Sequence, residues 1–167
     1  MYLKTLAIDG FKAFESDFSV ELHDGLNVLV GENGAGKTGI ISAIRQLFND
    51  SESGKRFIHE RDFYRGFAPG SLPADSIKIQ ATFSDLQGDE QTAFIDWCGR
   101  DAEAKLTFFA TNRESRGRFR HDMWGGPERT KPLEVETLDL IHCVYLPPLR
   151  DAEVKLRDGR KSRLARL

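Results

Sequence analysis

The sequence predicts an α/β domain with a mixed sheet and a sizeable antiparallel β part. A mostly apolar run, Leu26-Asn27-Val28-Leu29-Val30, leads straight into a glycine-rich loop. After the loop, Ile40, Ile41, Ile44, Leu47 and Phe48 recur at helical spacing, the stripe of an amphipathic helix. Elsewhere apolar and polar residues alternate with period two, the pattern of strands with one face in a core.

Taken in order, Tyr2 to Ile8 is a first strand. Phe18, Val20 and Leu22 alternate with Ser19, Glu21 and His23 in a second, and His23-Asp24-Gly25 has turn chemistry. The Leu26–Val30 run suits a strand covered on both faces. The helix after the loop ends near Asn49-Asp50. Residues 50–76, rich in Gly, Ser, Pro and charge, read as an irregular excursion. Ile77, Ile79, Ala81 and Phe83 oppose Lys78, Gln80 and Thr82 in the next strand. Asp89 is placed to cap a short helix carrying Ala93, Phe94 and Trp97. Lys105–Thr111 and Arg118–Trp124 flank Asn112–Gly117 as a hairpin. Leu140–Leu146 reads as a buried strand stopped by Pro147-Pro148, and the chain from Arg150 reads as basic and partly helical.

With 167 residues the chain is long enough for one domain with a proper core, spanning 1–167, and 150–167 reads as a basic tail leading toward a further C-terminal part. A formal net charge of −2, with 40% hydrophobic and 30% charged residues, excludes a global basic field for nucleic acid. The two cysteines, Cys98 and Cys143, lack metal or disulfide spacing, so reduced thiols are expected. Nothing approaches the roughly 18 consecutive apolar residues of a membrane span. No apolar signal segment opens the chain. By elimination the expected location is cytoplasmic, with no membrane partner.

The loop Gly31-Glu32-Asn33-Gly34-Ala35-Gly36-Lys37-Thr38 fits G-x-x-x-x-G-K-[ST] at every fixed position. Its glycines allow the backbone to approach an anion closely, and successive N–H groups turn inward at the positive end of the following helix. Lys37, the candidate catalytic residue, would neutralise charge on the β- and γ-phosphates. Thr38 offers a hydroxyl to Mg2+, which takes few protein ligands and keeps waters. The chemistry implied is binding of ATP, or another nucleoside triphosphate, with Mg2+. The bland alternative, a glycine turn with an incidental lysine, lacks the strand before and the helix after.

Leu6-Ala7-Ile8-Asp9-Gly10-Phe11-Lys12-Ala13-Phe14, then Gly25 to Val30, then the loop, resembles the N-terminal ATPase segment of ABC-type ATPases of the SMC, RecF and OLD group. Glu60-Arg61-Asp62-Phe63 and Val144-Tyr145-Leu146-Pro147-Pro148-Leu149-Arg150-Asp151-Ala152 resemble the OLD branch. The resemblance implies that Lys12 sits close to bound nucleotide; a solvated turn lysine is the alternative. Asp62 and Gln80 are weaker candidates to approach magnesium, against a surface carboxylate and a strand-face amide. It further implies that two ATPase domains sandwich ATP, hence a homo-oligomer. In the resembled proteins a buried strand ending Asp-Glu, a Ser-Gly-Gly-like signature and, in OLD proteins, a TOPRIM nuclease lie far C-terminal. None is present here. The expected partner is therefore a C-terminal remainder or a split partner chain, in a protein acting on DNA, for instance in defence against invading DNA. A RecF- or SMC-like repair ATPase without nuclease and a nucleotide-sensing module without hydrolysis compete with that reading.

Two basic patches are candidate DNA contacts: Arg113, Arg116, Arg118 and Arg120 around the hairpin, and seven basic against three acidic residues from Arg150 to Leu167. Solvated charge is the alternative for both. His142 and Cys143, inside an apolar run, are expected to be core residues. His121 and Cys98 also lack zinc-ligand spacing. Trp97 and Trp124 are expected in core or interface.

Overall fold

The structure, a computed structural model, describes residues 1–48, 58–99, 102–115, 118–129, 133 and 135–146. The strands are β1 (Tyr2–Asp9), β2 (Phe18–Glu21), β3 (Ser76–Ser84), β4 (Ala104–Ser115) and β5 (Arg118–Gly125). They form one sheet in the order β2-β1-β3-β4-β5, and every neighbouring pair is antiparallel. The antiparallel part foreseen from the alternating segments is thus the whole of the described sheet.

Register explains how alternation becomes a core. Ile8 lies opposite Ile79, Ile79 opposite Phe108, and Phe108 opposite Met123, so these side chains share one face. Leu6, Ala81 and Leu106 form the adjacent row on that face. Apart from partly buried Met123, all of them lose essentially all contact with solvent. Burial of each Ile, Leu or Phe side chain is worth about 1.5–3 kcal/mol. The opposite face carries Lys78, Gln80, Thr82 and Thr107, with the Gln80 amide donating to the Thr107 hydroxyl at 3.0 Å. Helix α1 (Lys37–Leu47) covers the apolar face through Ile40, Ala43 and Leu47. Phe48, just past its end, meets Phe83 edge-on at 5.9 Å.

Helix α2 (Asp89–Ala93) begins one residue after the cap position. Gly88 occupies that position with φ 43 and Asp89 is the first helical residue, so Asp89 does not cap the helix. Its carboxylate instead joins the first turn, where negative charge suits the helix dipole. Phe94 and Trp97 are buried as expected, with ring centroids 5.0 Å apart, while Ala93 faces solvent.

Two apolar runs depart from expectation. Leu26–Val30 is not a strand, and Leu26, Val28 and Val30 are 89%, 70% and 89% exposed. The reason is that no described strand pairs with it: the chain leaves β2 at the sheet edge and runs on to the loop without a ladder partner. Leu140–Leu146 fails as a buried strand in the same way. It follows helix α3 (Val135–Asp139) without strand pairing, Leu140, Val144 and Leu146 are exposed, and Ile141 and Cys143 pack on the core. His142 is exposed, so it is not a core histidine. The tail 150–167 and Pro147-Pro148 lie outside the described residues. No helix among the described residues is long and apolar enough to cross a membrane.

Candidate functional site

The loop ends in Gly36, whose φ of 91° is closed to most side chains, and the helix follows at once. No side chain caps α1. Its first N–H groups therefore lack the partners that a Ser or Asp cap would supply, and an 11-residue helix ends positive there. Gly31, Glu32, Asn33, Gly34 and Ala35 are exposed, while Gly36 and Lys37 are half-buried. The Lys37 ammonium curls back over the loop, donating to the carbonyls of Gly31 and Glu32, both at 2.7 Å. Ala35 N–H bonds the Glu32 carbonyl at 3.2 Å, closing a turn beneath it.

A second element backs the loop from below. Phe11 and Phe14 exchange backbone bonds of 3.0 and 2.9 Å across a two-residue turn, Lys12-Ala13. Phe14 is buried, stacks on Phe18 at 4.2 Å, and its ring lies 2.9 Å from where a Cβ on either Gly36 or Gly39 would sit. Glycine at both positions is what lets the aromatic ring support the loop. Phe14 is the residue that sequence reasoning passed over, although two phenylalanines three apart after a strand were a visible hint of a tight turn.

Lys12 sits in the same two-residue turn whose Phe14 ring packs against the first turn of α1. Its ammonium stands 3.6 Å from Asp62 and 5.4 Å from the Phe11 ring centroid. Asp62 is not a surface carboxylate: only 6% of the residue is exposed. Gln80 lies on the sheet face opposite α1 and its amide donates to the Thr107 hydroxyl. Of the three auxiliary candidates, the structure pairs Lys12 with Asp62 and sets Gln80 on the opposite sheet face beside Thr107.

The donor chemistry fits a polyphosphate: an uncapped helix end, a lysine and an open glycine loop fall within residues 31–38. Thr38 is exposed in the first turn of α1. Among the described residues no three His, Cys, Asp or Glu side chains gather into a metal cluster. The protein's contribution to Mg2+ would then be the Thr38 hydroxyl, completed by phosphate and water oxygens as that ion prefers. Bound there, the ion would offset phosphate charge.

Away from the loop, Arg113, Arg118 and Arg120 are exposed at the β4–β5 end; Arg116 lies outside the described residues. Burial pushes the Cys98 thiol up, which keeps it protonated and unreactive. Trp97 is core, and Trp124 lies half-buried against Phe109 at 6.4 Å.

An antiparallel sheet covered by one helix that springs from a G-x-x-x-x-G-K-[ST] loop is the architecture of an ABC-type P-loop ATPase lobe, of the kind seen in SMC heads. Residues 1–118 match the family model of the AAA ATPase domain, and the chain belongs to that family. Among proteins of similar sequence is structural maintenance of chromosomes protein 3 of Dictyostelium discoideum, 41% identical over 87 residues, 51% of this chain and 6% of that protein. Another is urease accessory protein 2 of Cryptococcus neoformans, 40% identical over 67 residues, 36% of this chain and 6% of that protein. This chain therefore spans only a small fraction of these relatives. A solved structure from work on ATP-driven dimerization and DNA-stimulated activation of SMC ATPases superposes with TM-score 0.65 at 19% identity, covering 99% of this chain and 95% of that one. At that identity the likeness speaks to fold alone.

Proposed function

We propose that this chain is the ATP-binding lobe of an SMC-like ABC-type ATPase, with Lys12 and Gly31 to Thr38 as its nucleotide site and Thr38 as its magnesium ligand. The observation that carries the reading is the loop itself: Lys37 folded over Gly31 and Glu32, the uncapped α1 end, and Phe14 beneath. Two such lobes would close on ATP and convert nucleotide affinity into association energy, the coupling named for SMC ATPases in the similar structure. In the parent protein that step would gate work on DNA. A repair or chromosome ATPase of RecF or SMC type is favoured by the Dictyostelium relative. An OLD-type parent with a TOPRIM nuclease rests on Glu60–Phe63 and on 144–152, the latter partly outside the described residues.

Calorimetric titration tests the site without any mutation. Mg-ATP and Mg-ADP are expected to bind and AMP to give no heat beyond dilution, because the loop contacts β- and γ-phosphates. Equal affinity for AMP and ATP would sink the assignment.

The exposed runs at Leu26–Val30 and Leu140–Leu146 supply the seam for the completing polypeptide. Both are apolar in composition, and neither forms a strand among the described residues. A segment adding strands there would bury Leu26, Val28 and Val30 and fix the loop that follows. Val28→Asp is expected to leave the thermal midpoint of this chain within about 2 °C, since surface changes sit near ±0.5 kcal/mol. The same variant should lose co-purification with the C-terminal polypeptide; retained co-purification would remove the seam.

A further inference from the structure

The turn at Lys12 and the 3₁₀ turn at Glu60–Asp62 are far apart in sequence and meet at one residue. Asp62 touches Lys12 twice. Its carbonyl accepts the Lys12 N–H at 2.8 Å, and its Oδ1 stands 3.6 Å from the Lys12 ammonium. The other carboxylate oxygen accepts the His59 N–H at 2.9 Å, so the group is anchored. Phe11 and Phe63 bridge next door, and Tyr64 N–H bonds the Gly10 carbonyl at 2.8 Å. The two segments are locked together.

Lys12 also carries a φ of 52°, a left-handed conformation that non-glycine residues seldom adopt. Such strain persists only where surrounding bonds over-determine it, and it concentrates at functional sites. Here the over-determining bond comes from Asp62.

We propose that Asp62 is a positioning residue, whose buried carboxylate and carbonyl hold the Lys12 ammonium beside the phosphate-binding loop to meet a nucleoside triphosphate. This rests on the nucleotide reading above and adds the device that aims Lys12. Phe14 presses on Gly36 and Gly39, and the Lys12 backbone lies within about 7 Å of chain from Phe14, so the turn carrying Lys12 is tethered to the first turn of α1 through that ring. The ion pair at 3.6 Å is longer than the ~2.8 Å of a strong charge-assisted bond. It restrains the ammonium without using up its three donors. The Lys12 side chain keeps 37% of its surface exposed while that of Asp62 keeps 9%. A buried carboxylate beside an exposed lysine is a poor device for stability alone, since burial penalises the charge and solvent weakens the pair.

A bare negative charge near the loop would repel phosphate, so its removal would tighten binding. A positioning carboxylate predicts the opposite sign. The test is calorimetric titration of Mg-ATP into the full chain, carrying Asp62→Asn, Lys12→Gly, both together, Asp62→Glu or Lys37→Ala, with thermal midpoints beside each. Glycine suits the Lys12 backbone, so that variant removes the side chain without adding strain. Asp62→Asn is expected to weaken Mg-ATP about tenfold, as loss of one hydrogen bond to a charged group does. Asp62→Glu, which keeps the charge, should stay within about threefold of native on the same scale. In the Lys12→Gly background Asp62→Asn should change affinity no further. Unchanged or tighter binding by Asp62→Asn, or an equal loss in both backgrounds, overturns the proposal while Lys37-dependent binding still stands. Equal affinity of the native chain and Lys37→Ala would overturn the nucleotide reading and this inference with it.

Discussion

Lys37→Ala is expected to abolish measurable Mg-ATP binding while leaving the fold intact. An ammonium about 4 Å from one phosphate charge interacts by about 4 kcal/mol at an effective dielectric of 20. Even if half of that survives competition with water, affinity falls on the order of 30-fold, and contact with a second phosphate raises the loss beyond 100-fold. Folding should not notice. Among the described residues the Lys37 ammonium bonds the carbonyls of Gly31 and Glu32, in a loop whose first five residues are exposed. Removing bonds that water can replace typically shifts stability by no more than about 0.5 kcal/mol, or about 2 °C in a chain of this size. Titration calorimetry beside a thermal melt separates the two effects. A variant that melts like the native chain and still binds Mg-ATP with native affinity would defeat the phosphate site. One that loses binding together with its fold would show instead that Lys37 is structural.

How much of this was readable beforehand depends on where each residue finds its partner. Leu6, Ile8, Ile79 and Phe108 announce their burial locally, because a strand with one covered face must alternate whichever strand lies beside it. The loop and α1 are equally local: Gly36, Lys37 and the stripe of Ile40, Ala43 and Leu47 lie within one short stretch. Leu26–Val30 and Leu140–Leu146 misled for the complementary reason. Their composition fits burial, but among the described residues only Leu29, Ile141 and Cys143 of these runs pack on the core, while Leu26, Val28, Val30, Leu140, Val144 and Leu146 stay exposed. Composition fixes what a segment needs, and only topology says whether it is met. Asp62 shows the same limit at the site. A carboxylate in Glu60-Arg61-Asp62-Phe63 looks solvated, and nothing local reveals that a turn around Lys12 folds over it. The face of Gln80 was legible, since Ile79 and Ala81 point toward α1 and turn Gln80 away, but its partner Thr107 lies on another strand and only the register reveals it.

The same reasoning identifies Gly10→Ala as the substitution expected to damage the fold most. Gly10 follows β1 directly and opens the Lys12 turn, with φ 65°. A Cβ there would stand 2.0 Å from the Ser76 carbonyl oxygen, a backbone atom at the start of β3 that no rotamer change can move. Gly25 separates the two causes of cost. It has φ 85° and nothing within 4 Å of an added Cβ. Gly25→Ala should therefore express backbone strain alone, about 1–2 kcal/mol, and lower the thermal midpoint by about 4 °C. Gly10→Ala adds forced separation of β1 from β3, for which overpacking contributes about 1–3 kcal/mol more. The sum of about 2–5 kcal/mol corresponds to a midpoint lowered by roughly 10 °C. Scanning calorimetry of the two variants side by side decides the matter. If both fall equally, the close approach of β1 to β3 at Gly10 is not real. If Gly10→Ala falls much further, the approach is confirmed, and with it the geometry that carries the chain from the sheet into the turn bearing Lys12. Gly10 also accepts the Tyr64 N–H and donates to the Glu15 carbonyl, both at 2.8 Å, so a shift there displaces the segment holding Asp62 as well. Loss of nucleotide affinity should accompany the loss of stability in Gly10→Ala and be absent in Gly25→Ala.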